Sequence, residues 1–306
     1  MATLGLGATL GACSVHAATP GPAAKSGPTK RPILFFADID GTLHGTSKAA
    51  LAALQDWTAY WRDAERPVGS VLCYNTGRAV TDYERSLQPD LPLPDVLITG
   101  DGTEIRWRRK RAGQGGELPS FELDAEWASA VEACWDRVRD RLIATMDRDD
   151  EGHLADLNVV SNSPPRGEAR WAITVLGEAR AYELASAYEA EFARDGIASY
   201  VMGGWGEPRC HLVVALPASC GKLNAARHVQ RRLGMADDAC VAAGDSENDL
   251  PMVRGGYCFI MVANAVDALV RALDDAAAPE QHYRASTGYA RGVIEGLEHF
   301  RRHVDE

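Results

Sequence analysis

Residues 34–43, L-F-F-A-D-I-D-G-T-L, constrain this chain more than any other stretch. A short apolar run suited to a buried parallel strand leads straight into two aspartates one residue apart. Carboxylates beside buried apolar surface are costly unless cations or hydrogen-bond donors hold them. Residues i and i+2 share a side of an extended backbone, so Asp38 and Asp40 can converge on one spot. The chain therefore needs a sheet whose strand end is also a binding place.

The rest of the sequence supplies that sheet. Ser47 can cap a helix running to about Glu65 and closed by Pro67. Strands are expected near 71–74 and 95–99, with a helix opening at Gly77-Arg78 between them. Asp101-Gly102 reads as a tight hairpin turn into 103–108. The alternation predicts an α/β fold with a doubly wound, Rossmann-like parallel sheet. A charged, Gly-rich junction, R-R-K-R-A-G-Q-G-G, occupies residues 108–116. Beyond it an amphipathic helix from about 125 to 146, a polar loop to 167, a strand at 171–176, a helix at 178–194 and strands near 198–202 and 211–216 suggest an α+β insert. The α/β rhythm then resumes with a helix at 222–233, strands near 239–243 and 257–262, and a last helix near 289–303. The expected organisation is a tail (1–31), a first core segment (32–110), an inserted α+β cap (111–206) and a second core segment (207–306).

In open α/β sheets ligands collect at the carboxyl ends of the strands. Four polar clusters fall there: Asp38-Ile39-Asp40-Gly41-Thr42; Asn75-Thr76-Gly77-Arg78; Gly221-Lys222; and Gly244-Asp245-Ser246-Glu247-Asn248-Asp249. Alone, each has an ordinary reading as a turn, a helix cap or a solvated lysine. Together they suit a hard divalent cation and a phosphate, since Mg²⁺ uses one or two carboxylates plus substrate oxygens. Hydroxyl, backbone N–H and lysine supply what phosphate oxygens require.

These motifs resemble those of the haloacid dehalogenase-like hydrolases, in the branch with type-two caps, and within it the sucrose-phosphate phosphatase group. The stretches Y-N-T-G-R-A-V-T-D-Y, L-P-D-V-L-I-T, G-T-E-I, R-W-A-I-T-V and T-G-Y-A-R-G-V-I-E-G-L carry the closer likeness. The resemblance implies a phosphoric monoester hydrolase that works through an aspartyl-phosphate. Asp38 would be the nucleophile and Asp40 the general acid and base. Mg²⁺ would be held by Asp38, the Asp40 carbonyl and Asp245, with Asp249 in support. Thr76, Gly77, Lys222 and Asn248 would bind the phosphoryl group. The family usually places Gly after the lysine, whereas Leu223 follows here and Gly221 precedes. The implied substrate is a small sugar or polyol phosphate, sucrose 6-phosphate first; a phosphosugar mutase or phosphotransferase, and a non-catalytic phosphosugar sensor, are the alternatives. Cap residues should select the sugar, with Trp205 in G-G-W-G-E-P weighed for stacking and Glu104 for a hydroxyl.

Composition sets the remaining bounds. The formal charge of −11 shows no basic stripe, which argues against nucleic acid and anionic membrane as partners. Seven scattered cysteines without a C-x-x-C pair suit reduced core thiols. No apolar stretch approaches the ~18 residues of a membrane span. Residues 1–31 lack acids and are rich in Ala, Gly, Thr and Pro, which fits a disordered tail or an organellar transit segment. The expectation is a cytoplasmic monomer or small homo-oligomer, with plastid targeting as the open alternative.

Overall fold

The computed structural model describes residues 30–109, 120–145, 148, 169–202, 210–276 and 278–304. The 1–29 segment and Trp205 lie outside the described residues. The architecture is α/β, as the sequence predicts, and among the described residues eight strands form its large sheet. At the centre β1 (Leu34–Ala37) pairs in parallel with β2 (Val71–Asn75) on one side and β9 (Cys240–Gly244) on the other. Beyond β2 comes β3 (Val96–Thr99), and beyond β9 come β10 (Cys258–Met261) and β11 (His282–Arg284), all parallel. Among the described strands of this sheet, β4 (Glu104–Arg108) and β5 (Phe121–Leu123) alone run antiparallel, the first through the expected hairpin. The order across the sheet is β11-β10-β9-β1-β2-β3-β4-β5. The chain leaves β1 toward β2 and returns to its other side at β9. That reversal opens the crevice beside the carboxyl end of β1.

Every residue of β1 is buried, because helices cover both faces of the sheet. On one face lies α1 (Lys48–Tyr60), an Ala- and Leu-rich helix whose N-cap Ser47 accepts a hydrogen bond from the Ala50 amide at 3.1 Å. Ala50, Ala53, Leu54 and Trp57 form its buried stripe, and Trp57 meets Phe35 of β1 at 5.6 Å between ring centroids. The helix does not stop at Pro67. It widens into a π turn over Trp61–Glu65, tightens to 3₁₀ over Arg66–Val68 and ends at Gly69 with φ 86°. The C-terminal helix α9 (Tyr289–Val304) packs beside it, and Arg301 reaches back to pair with buried Glu65.

A second sheet is antiparallel and three-stranded, with β8 (Cys210–Pro217) between β6 (Trp171–Leu176) and β7 (Ile197–Met202). Helix α5 (Glu178–Phe192) covers it through Ala181, Leu184, Ala185, Tyr188 and Phe192. The single long helix expected from 125 is two: α3 (Ala125–Trp135) and α4 (139–145), broken by a turn at 136–138. Sheet membership also differs from the expected segment boundaries. β5 lies beyond residue 111 yet pairs in the large sheet, and β8 lies beyond 206 yet is the middle strand of the small one. Asp124 fastens the two units. It caps α3, and its carboxylate accepts hydrogen bonds from Trp107 Nε1 (2.8 Å), the Trp127 amide (3.0 Å) and Arg232, with His228 Nε2 at 3.0 Å. Its burial favours the neutral acid, but these donors outweigh it and lower the pKa to about 2.

Candidate active site

The crevice beside β1 is a cavity of about 470 Å³. Asp38, Asp40, Thr76, Gly77, Asp245 and Asn248 all line it, each from a strand end or the turn after it. Lys222 and Asp249 stand behind this wall, 2% exposed apiece. A further cavity of about 410 Å³ lies at the opposite ends of the strands and brings none of these residues together.

Asp38 follows β1 directly and is 6% exposed. Its Oδ1 lies 3.1 Å from Lys222 Nζ, which donates at 2.7 Å to Asp249 Oδ1. Lys222 is the first residue of α6 (Lys222–Leu233), reached through Gly221 at φ 89°. Burial opposes the charge on Lys222, yet Asp249 and Asp38 overcome it and raise its pKa. Asp245 follows β9, and its Oδ1 accepts from Thr42 Oγ1 at 2.6 Å. A β-carbon on Gly41 would lie 2.1 Å from the Asp245 carboxylate, so only glycine lets these loops approach. Asp249 holds the turn it ends: its Oδ2 accepts from the amides of Asp245 (3.1 Å) and Ser246 (3.3 Å).

Carboxylate oxygens of Asp38, Asp245 and Asp249 lie within 4.8 Å of one another. Burial raises the Asp38 pKa well above 3.8 despite Lys222, with Asp249, Asp245 and Asp40 adding to the rise. Burial, then Asp249, pushes Asp245 up to about 7. Three buried carboxylates share one lysine, and the oxygen set suits a hard divalent cation that would supply the missing charge.

Asp40 is held differently. Both its oxygens accept from Arg78, Nε at 2.6 Å and Nη2 at 2.7 Å. Arg78 stands two residues past Thr76, and its amide donates to Thr76 Oγ1 at 3.1 Å. Asn248 turns its amide to Asp101, donating to Oδ1 at 2.9 Å, while Arg170 at the mouth of β6 donates to Oδ2 at 2.6 Å. Asp101 is 1% exposed with φ 55°. The Asp-Gly expected to be a plain turn is thus also a buried ion-pair partner, tying the second sheet to the site.

Sequence reasoning assigned no role to Arg78, Asp101 or Arg170. Arg78 carried a signal, its place in N-T-G-R, and Arg170 opens the R-W-A-I-T-V stretch; Asp101 read only as a turn residue. Glu104 pairs with Arg106 and lines a separate cleft with Leu123 and Trp135.

A doubly wound sheet with an inserted sheet, and carboxylates gathered at its switch point, is the arrangement expected of a haloacid dehalogenase-like phosphatase. A family model described as sucrose-6F-phosphate phosphohydrolase matches residues 31–156 and 208–301, and the chain belongs to that family. It is 27% identical to a HAD-like hydrolase of Nitrosococcus oceani over 89% of this chain and 72% of that protein. It is also 27% identical to the "Probable sucrose-phosphatase 1" of Arabidopsis thaliana, over 88% of this chain and 60% of that longer protein. The fold matches the Synechocystis sp. PCC6803 sucrose-phosphatase, solved with sucrose and phosphate, at TM-score 0.70 and 24% identity, covering 88% of this chain and 98% of that one. A Bacillus subtilis haloacid dehalogenase-like hydrolase, yhjK, follows at TM-score 0.55 and 15% identity, over 90% and 94% of the two chains. Family membership makes this chain a phosphoric monoester hydrolase acting on a sugar phosphate. Among the described residues no helix is long and apolar enough to cross a membrane.

Proposed function

We propose that the chain is a Mg²⁺-dependent phosphatase of small sugar or polyol phosphates, with sucrose 6-phosphate the first substrate to try. The observation that carries this reading is the buried set of Asp38, Asp245 and Asp249 around Lys222, with Asp38 open to the cavity. The substrate for which the family is named supports the sugar.

In this reading an Asp38 oxygen attacks phosphorus as the P–O bond to the sugar breaks, and Asp40 protonates the leaving oxygen. Water, losing its proton to Asp40, then attacks the aspartyl-phosphate, releasing phosphate and restoring Asp38. In this reading Arg78 releases Asp40 during the reaction, because both Asp40 oxygens face the guanidinium here and a general acid needs one turned to the leaving oxygen. An arriving phosphoryl group offers Arg78 that exchange of partner. Lys222 stabilises charge behind Asp38, and Thr76 and Gly77 present a hydroxyl and an amide to the phosphoryl oxygens. Asp38 and Asp245 would hold Mg²⁺, which supplies charge neutralisation for the phosphoryl group. Asp249, its oxygens taken by Lys222 and two amides, would orient them. The cap in this reading is the unit built on the β6-β8-β7 sheet.

The test is phosphate release from a panel of sugar and polyol phosphates, with Mg²⁺ and with chelator. Chelator-sensitive release concentrated on sucrose 6-phosphate is the expected outcome. Release concentrated on another ester would keep the chemistry and reassign the substrate, whereas silence from folded protein would overturn the reading.

Stability should respond to pH and metal together. Burial raises the folded-state pKa of Asp38 and Asp245, the latter to about 7, so the native metal-free protein binds more protons than the unfolded chain above pH ~4. The stabilisation these groups give is complete below the unfolded pKa and is lost as pH rises through the folded one. Metal-free Tm is therefore expected to fall between about pH 4 and 7 on account of these groups. Mg²⁺ competes with those protons, so its stabilisation grows with pH, reaching about 2.7 kcal/mol at a hundredfold excess over Kd. Scanning fluorimetry at pH 5 and 7.5 reads this; a Mg²⁺ shift equal at both would contradict it.

A further inference from the structure

Tyr289 is the aromatic residue the site keeps under strain. Its φ is 55°, a left-handed conformation that bulky side chains avoid. Two contacts fix it there. The Tyr289 amide donates to Asn264 Oδ1 at 2.9 Å, and Asn264 Nδ2 donates to the carbonyl of Gly41 at 2.7 Å. Gly41 directly follows Asp40, so one asparagine side chain sets the distance from Tyr289 to the catalytic loop. The ring is pressed on the same loop further along: a β-carbon on Gly45 would lie 2.4 Å from Tyr289 Cε1. The ring lines the cavity that holds Asp38 and Asp40, with Val266 and Met202 contributing its other apolar surface.

Backbone strain persists where the surroundings over-determine it, and it concentrates at ligand clamps. A tyrosine offers a flat apolar face with a hydroxyl at its tip, which matches a sugar ring with C–H faces and hydroxyl edges. Resting on the sugar-phosphatase reading above, we infer that Tyr289 is the core-side platform for the sugar ring and selects cyclic over acyclic phosphate esters. Its position on the wall beside Asp38 and Asp40 places that contact on the sheet domain.

The test compares wild type with Tyr289→Asn, Tyr289→Phe and Gly45→Ala. Asparagine tolerates the left-handed region and keeps the backbone path while removing the ring. Each protein is assayed on the best cyclic ester among sucrose 6-phosphate, fructose 6-phosphate and glucose 6-phosphate, and on acyclic glycerol 3-phosphate. The inhibition constant of inorganic phosphate and the Tm are measured beside them. Tyr289→Asn is expected to raise KM for the cyclic ester about five- to tenfold, the scale of a lost ring contact, with kcat within twofold. KM for glycerol 3-phosphate, the phosphate inhibition constant and Tm should stay level. Tyr289→Phe should stay within about threefold of wild type, and Gly45→Ala, which displaces the ring, should follow Tyr289→Asn. Unchanged cyclic-ester KM in Tyr289→Asn would overturn the assignment. So would equal losses on cyclic ester, acyclic ester and phosphate, or a Tm fall in step with KM, since these describe a structural role. Wild-type silence on every sugar phosphate would instead sink the phosphatase reading, and this inference with it.

Discussion

Asparagine at position 38 is expected to reduce kcat by at least ~10⁴-fold while leaving a folded protein that still binds phosphate. The side chain keeps its shape, but an amide cannot attack phosphorus. The protein should tolerate the change well. Asp38 is buried, its pKa is raised, and Asp249, Asp245 and Asp40 all add to that rise. A neutral amide removes this repulsion, and Lys222 keeps Asp249 at 2.7 Å as its partner. Metal-free Tm should therefore hold or rise, which separates lost chemistry from lost fold. Single-turnover phosphate release and scanning fluorimetry on one preparation measure both. Retention of more than a few per cent of wild-type turnover would remove the nucleophile role from Asp38.

The central sheet was legible because burial on both faces forces near-continuous apolar runs such as Leu34–Ala37 and Val96–Thr99. Edge strands escape that rule: β5 and β11 are three residues each, partly exposed, and carry no periodicity to read. The helix begun at 125 appeared unbroken because the turn at 136–138 interrupts it without glycine or proline. At the site, residues adjacent in sequence to strand ends were easily found. Asp38, Thr76 and Asp245 each directly follow a strand, and the motif spacing links them. Contacts made across the fold were invisible. Nothing in Asp101-Gly102 distinguishes a solvated turn from a carboxylate shared between Asn248 and Arg170, since both uses want a left-handed Asp before Gly. Tyr289 read as the start of a helix, and its strain exists only because Asn264 and Gly45 meet it from loops far away in sequence.

The Arg78–Asp40 pair and the Asp101–Arg170 pair give the site two different kinds of charge. Arg78 is on the cavity wall, its side chain 21% exposed, and a phosphate can reach it. Asp101 is 1% exposed at its side chain and Arg170 16%, so that pair is set apart from ligand charge and acts by holding Asn248 and the second sheet in register. The first suits exchange during a reaction, the second suits permanence.

Lys222→Met should be the change most damaging to stability, and it should cost activity as well. Its Nζ is the cation common to Asp38, at 3.1 Å, and Asp249, at 2.7 Å, and only 1% of the side chain is exposed. A surface lysine would be worth little, but removing one partner from a buried set leaves uncompensated charge and costs about 3–5 kcal/mol. Asp38 and Asp245 would take up protons more readily still, so the variant should lose most at neutral pH and recover in mild acid. Mg²⁺ should restore some of the stability by meeting the same carboxylates, without restoring the charge behind Asp38. kcat/KM should therefore stay about 10³-fold down even at saturating metal. Lys222→Arg should rescue little, since the wider guanidinium fork has to enter a site closed around a point charge. Urea denaturation at pH 5 and 7.5, with and without Mg²⁺, alongside kcat/KM for the best sugar phosphate, decides the matter. Stability unchanged at pH 7.5 would mean that the carboxylates are held by something other than Lys222. Full recovery of kcat/KM by metal would mean that charge balance, rather than a lysine contact to the phosphoryl group, is all that the reaction takes from this position.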